Sequence, residues 1–156
     1  NAWAADWAAG VELLTGAQSM FVLGRGLTFG VAQEAALKFK ETSGIHAEAF
    51  SIAEVVHGPM ALVKPGFPVL VFPPLDPAVA GLDKVIEQFV GRGAKIAVAG
   101  GGYERTTPLL LQAELHSVTA PIAMIQSFYA LVNALSVARG YDPDRPPMLQ
   151  KVTETR

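Results

Sequence analysis

Between Glu41 and Pro59 the chain reads Glu41-Thr42-Ser43-Gly44-Ile45-His46-Ala47-Glu48-Ala49-Phe50-Ser51-Ile52-Ala53-Glu54-Val55-Val56-His57-Gly58-Pro59, setting three carboxylates and two imidazoles between strongly apolar stretches. Buried acids and histidines cost several kcal/mol of desolvation unless they are paired. An apolar domain has no need of such a cluster for stability, so its density points to proton transfer.

Just upstream, Glu34, Lys38 and Glu41 stand at i, i+4 and i+7 and project from one face of any helix that carries them. The plain alternative is an exposed Glu34–Lys38 pair worth about 0.3–0.5 kcal/mol. Against it, Ala32, Ala35, Ala36, Leu37 and Phe39 wrap much of the same helix in apolar surface, and the helix leads straight into the polar island. A base and a cation on one wall suit the enolisation of a carbonyl sugar.

Gly24-Arg25-Gly26-Leu27-Thr28-Phe29-Gly30 follows an apolar run and opens that helix. Two readings stand: backbone N–H groups and the helix dipole holding an anion or a sugar hydroxyl, or a tight strand-to-helix turn with no ligand. A dinucleotide fingerprint fails, because Phe29 occupies the third glycine position and no strand ending in an acid is read after the helix. His46 and His57 lack the spacing of a zinc pair, and the chain has no cysteine; no metal is expected. Gly58-Pro59 ends the turn after His57, either as a structural loop edge or as a device that holds the ring toward a ligand or a neighbouring subunit. His116 is assigned a structural role. At the other end, three prolines direct a tail that carries Lys151.

Continuous apolar runs alternate with amphipathic helices, as a parallel sheet covered on both faces requires. Strands are expected over 20–23, 68–72, 95–99 and 115–118 and helices over 28–42 and 78–90, with a short helical turn over 52–56. The last helix opens with Pro121 in its first turn and ends at Gly140. The expected architecture is a three-layer αβα sandwich, with a mostly parallel sheet of about five strands.

The chain has 156 residues, 51% of them hydrophobic and 17% charged, enough for one domain with a real core. Its 12 basic residues are scattered and outnumbered by 14 acidic ones, so no nucleic-acid partner is expected. No apolar run is expected to reach the ~18 residues of a membrane span, and the absence of cysteine fits a reducing cytosol. A soluble, cytoplasmic protein with no membrane partner is therefore expected. The chain starts at Asn1-Ala2-Trp3 and enters a helical pattern at once, so it is expected to begin inside a longer protein.

Together, the Gly24-Arg25-Gly26 turn, Glu34-Ala35-Ala36-Leu37-Lys38-Phe39-Lys40-Glu41, Ile45-His46-Ala47-Glu48-Ala49-Phe50, His57-Gly58-Pro59 and the tail from Asp142 through Lys151-Val152-Thr153 resemble the sugar-isomerase (SIS) domain family. The likeness is to the second half of the isomerase portion of isomerising glucosamine-6-phosphate synthases and to related deaminases, and it covers nearly the whole chain. It implies an SIS-type, flavodoxin-like fold and a cofactor-free reaction. Glu41 matches the family's base, Lys38 a lysine that assists at the substrate's oxygens, and Glu34 the acid that orients it. His57 matches a ring-opening histidine that reaches in from the partner subunit of a homodimer. Lys151 matches a tail lysine that contacts the sugar's carbonyl end. Gly24, Arg25, Gly26, His46 and Glu48 complete the implied substrate-binding set with Glu34.

Departures narrow the expectation. Val56 replaces a basic residue often found before the histidine, Gln150 replaces an alanine, and Lys151-Val152-Thr153 shortens the usual Lys-Ser-Val-Thr. With no cysteine for a glutaminase, these changes favour a stand-alone isomerase or deaminase over the isomerase half of the synthase, and deamination of glucosamine 6-phosphate is the expected reaction. A non-catalytic sugar-phosphate sensor is the remaining alternative. Thr106-Thr107 and Ser117-Val118-Thr119 are isolated, so the Ser/Thr-rich phosphate loop of the family is expected in a preceding SIS domain, with 1–156 forming the second domain of two.

Overall fold

The computed structural model describes residues 5–111 and 115–146. Five strands, β1 (Ser19–Gly24), β2 (His46–Ser51), β3 (Pro68–Val71), β4 (Lys95–Ala99) and β5 (Thr107–Leu109), form one sheet in the order β2-β1-β3-β4-β5. Every pairing is parallel, with Met20 opposite Ala47, Val22 opposite Leu70 and Val71 opposite Val98. This is the flavodoxin-like strand order, which reverses between β1 and β3 and opens a crevice at their carboxyl ends.

Alternation along each strand divides the core in two. Met20, Val22, Ala47, Leu70, Ala97 and Ala99 face a layer built from α1 (Ala8–Leu14), α2 (Phe29–Ser43) and α4 (Ala120–Ala138). Phe21, Leu23, Val69, Val71, Ile96 and Val98 face α3 (Leu82–Gly91) and the turns that follow β2. All four residues of β3 are buried, as a central parallel strand demands.

The helix that carries the candidate base is fixed in rotation by its buried stripe Val31, Ala32, Ala35, Ala36, Phe39 and Ser43. Its alanines let α2 approach the sheet closely, and Phe39 meets Phe128 of α4 edge-on at 5.1 Å. Phe128 in turn meets Phe72 at 6.1 Å; such contacts add about 0.5–1.5 kcal/mol each beyond area burial. Glu34, Lys38 and Glu41 are thereby held on the outer side. Gly44 ends α2 in the left-handed region at φ 62°, where a side chain would also strike the Tyr141 ring.

Arg139, at the end of α4, ties three segments together. Its Nε donates to the Ser43 carbonyl at 2.7 Å, and its Nη1 donates to the carbonyls of Thr15 at 2.6 Å and Ala17 at 2.8 Å. Arg139→Ala is expected to cost about 2–3 kcal/mol in equilibrium urea unfolding, because hydrogen bonds to a charged donor are lost while partly buried acceptors remain. Arg139→Lys is expected to recover little of this, since one ammonium cannot reproduce the planar fork.

Several expectations need correction. The polar island contains strand β2, an edge strand whose even positions His46 and Glu48 are exposed while Ala47 is buried. Residues 115–118 form no strand. His116 there receives the N–H groups of Thr119 and Ala120 on its carbonyl, both at 2.9 Å, and its Nδ1 accepts from Val118 N, so its role at the entry to α4 is structural. The fifth strand is β5, where an edge position accommodates Pro108. The helix expected over 78–90 is split: Asp76 caps a 3₁₀ turn at Pro77–Val79 by accepting from Ala78 N, and Gly81 at φ 86° precedes α3. Finally, α4 is long and apolar enough, at 19 residues and mean hydropathy 1.4, to match a membrane span by length and composition, yet half of it is buried inside this domain.

Candidate active site on the α2 wall

Glu34, Lys38 and Glu41 form one continuous ion cluster. The Lys38 ammonium donates to Glu41 Oε2 at 2.7 Å and stands 3.8 Å from Glu34 Oε1. All three side chains are about one quarter to one third exposed: 33% for Glu34, 31% for Lys38 and 24% for Glu41. They lie neither in the core nor fully in solvent. The hydrogen bond that Lys38 donates to Glu41 and the charge of Glu34 raise the Lys38 pKa against the opposing effect of burial. Lys38 therefore keeps its charge through neutral pH and loses it only as pH rises through a value above the ordinary lysine range.

The sequence did not point to Tyr129 on α4. Its hydroxyl donates to Glu34 Oε1 at 3.0 Å across the α2–α4 groove. Burial and the Glu34 carboxylate both raise the phenol's pKa, so it remains a donor at neutral pH. Ninety-five positions separate the two residues, so no local pattern could have paired them.

The Gly24-Arg25-Gly26 turn sits at the carboxyl end of β1, in the crevice where the strand order reverses. Thr28 holds it from inside: Thr28 Oγ1 accepts from Arg25 N at 3.1 Å and donates to the carbonyls of Arg25 and Phe72, the latter at 2.7 Å. Thr28 N also bonds the Arg25 carbonyl. The N–H groups of Arg25 and Thr28 are thus committed to holding the turn itself. A side chain at position 24 would be driven into the Thr28 carbonyl, so only glycine fits there.

The structure does not bring the remaining predicted residues to this wall. His46 and Glu48 lie on β2 with His46 Nε2 3.8 Å from Glu48 Oε1, largely exposed at 72% and 46%. They share the sheet face of Phe50, which packs with the α3-side core, whereas their neighbours Ala47 and Ala49 pack toward α2. His57 is exposed on a turn anchored by Ile52, Val55 and Met60 to that same α3-side core. The wall and His57 are therefore on opposite faces of one sheet. Lys151 lies outside the described residues. Among the described residues, no group of three or more His, Asp, Glu or Cys is placed to hold a metal ion.

A family model described as the SIS domain matches residues 13–139. The chain belongs to the SIS domain family. It is 44% identical over 148 residues to the isomerising glutamine–fructose-6-phosphate aminotransferase of Aeropyrum pernix, an alignment that covers 90% of this chain and 24% of that protein. Among solved structures, the C-terminal domain of glucosamine-fructose-6-phosphate aminotransferase from Francisella tularensis superimposes with a TM-score of 0.79 at 29% identity, covering 88% of this chain and 40% of that one. Glucosamine-6-phosphate deaminase from Thermotoga maritima does so with a TM-score of 0.72 at 26% identity, covering 96% and 44%. The SIS chain thus spans about a quarter of the length of the aminotransferase it matches, at 24%, and under half of these solved chains.

Proposed function

We propose that this SIS chain is the base-bearing domain of a two-domain phosphosugar enzyme that moves a proton between C1 and C2 of an amino-sugar phosphate. The observation that carries the reading is the Lys38 ammonium held between the carboxylates of Glu34 and Glu41 on one half-buried helix wall. Ionised Glu41 takes the proton from C2 of the open-chain aldehyde of glucosamine 6-phosphate. Charge then develops on the C1 oxygen, where the Lys38 ammonium offsets it. Return of the proton to C1, with one proton passing from the C2 amine to the C1 oxygen, leaves an imine at C2 beside a C1 hydroxyl, and water cleaves the imine to fructose 6-phosphate and ammonia. Glu34 orients the lysine, His57 assists ring opening from a partner subunit, and Lys151 contacts the carbonyl end of the sugar. The phosphate cradle belongs to a preceding domain.

A second reading, the isomerase half of a glutamine-dependent synthase, is favoured by the 44% identity to an isomerising aminotransferase. It uses the same wall in reverse, with ammonia from glutamine condensing on the C2 carbonyl of fructose 6-phosphate. The full-length protein with glucosamine 6-phosphate and no glutamine separates the two. Equimolar ammonia and fructose 6-phosphate are expected for the deaminase. Formation of glucosamine 6-phosphate from fructose 6-phosphate only when glutamine is supplied would establish the synthase instead. No interconversion under either condition would contradict both.

A further inference from the structure

Lys38 is pulled toward two carboxylates, and only one of them holds it tightly. The 2.7 Å contact to Glu41 and the 3.8 Å gap to Glu34 are unequal although both partners are on the same helix, one turn away in either direction. Glu34 Oε1, the oxygen nearest Lys38, is the same atom that accepts the Tyr129 hydroxyl at 3.0 Å. We infer that Tyr129 is a positioning residue: by occupying Glu34 Oε1 it holds that carboxylate back, and so keeps the Lys38 ammonium on the Glu41 side of the wall, beside the base. This inference rests on the enolisation reading above.

The scaffold around Tyr129 supports such a role. Phe128, fully buried, is locked between Phe39 of α2 and Phe72 beyond β3, which fixes the turn of α4 that presents the next residue to the groove. The Tyr129 ring lies 6.0 Å from that of Phe128, and its hydroxyl reaches Glu34 of α2. Over Ala120–Ala138 the helix has no charged side chain, and the Tyr129 phenol gives it a polar link to the ion cluster. The groups facing Lys38 are then Glu34 and Glu41 from its own helix and Tyr129 from α4. A neutral donor suits position 129, because a second cation there would repel Lys38 and an acid would compete for it. Without the hydroxyl, Glu34 is free to close its gap and draw the ammonium away from Glu41.

The test uses Tyr129→Phe in the full-length protein, which keeps the ring and its packing. Turnover is expected to fall about tenfold, with KM within about twofold, because the lost hydrogen bond acts on a group already in place rather than on binding. In a Glu34→Ala background the same change is expected to have no further effect, since the tyrosine acts through Glu34; additive losses would overturn the inference. A structural role alone would instead lower thermal stability with kcat intact. Independently of activity, the phenol carbon of Tyr129 followed by NMR is expected to titrate at lower pH in Glu34→Ala than in wild type; an unchanged titration would overturn the contact itself. Wild-type protein that interconverts no amino-sugar phosphate would overturn the functional reading and the inference with it. Active wild type and an equally active Tyr129→Phe would overturn the inference alone.

Discussion

Glu41→Gln in the full-length protein is expected to lower turnover about 10²–10⁴-fold while substrate affinity stays within a few-fold, the range associated with loss of a general base. The amide keeps the shape of the carboxylate and can still accept the Lys38 hydrogen bond now seen at 2.7 Å, so the wall should persist. What it cannot do is take a proton from carbon. A competing explanation, in which Glu41 is merely one member of an i, i+3 ion pair, predicts a stability change of a few tenths of a kcal/mol and no change in turnover. The two outcomes differ by at least two orders of magnitude in rate, and steady-state kinetics with a thermal melt separates them.

The second large effect concerns His57. On one copy of the domain the α2 wall and the His57 turn are on opposite faces of the sheet, anchored in two different cores. If both serve one reaction centre, the histidine must come from another subunit. Glu41→Gln and His57→Ala proteins should then each be nearly inactive. Mixed and reassembled from equal amounts, they should recover about a quarter of wild-type activity, because about half of randomly paired symmetric dimers are mixed and each mixed dimer has one intact site. Mixed dimers identified by mass spectrometry but without recovered activity would place His57 outside the shared centre.

Legibility in the sequence followed burial. Strands β1, β3 and β4 are continuous apolar runs because both of their faces are covered, and helix α2 announced itself through the glycine turn at its entry and its apolar alanine-rich surface. The i, i+4, i+7 spacing placed Glu34, Lys38 and Glu41 on one face, and the structure shows them in one ion cluster. Edge elements were harder to read. In β2 the period-2 alternation of His46-Ala47-Glu48-Ala49 was present, but the exposed residues are charged or titratable and the inward ones, buried Ala47 and partly buried Ala49, are small, so the stretch read as polar rather than as a strand. β5 has three residues, one of them proline, too few to show any period. Tyr129 was beyond reach for a different reason: its contact to Glu34 depends on the α2–α4 packing set by Phe39 and Phe128, which a one-dimensional pattern does not contain.

The most direct measurement runs the full-length reaction in deuterium oxide and follows deuterium at C1 of fructose 6-phosphate and C2 of glucosamine 6-phosphate by NMR. Wild-type protein is predicted to introduce deuterium at these carbons, and Glu41→Gln to introduce it more slowly by the same factor of about 10²–10⁴ by which its turnover falls. Exchange by Glu41→Gln at the wild-type rate would contradict the assignment of this wall as the site of C1–C2 proton transfer.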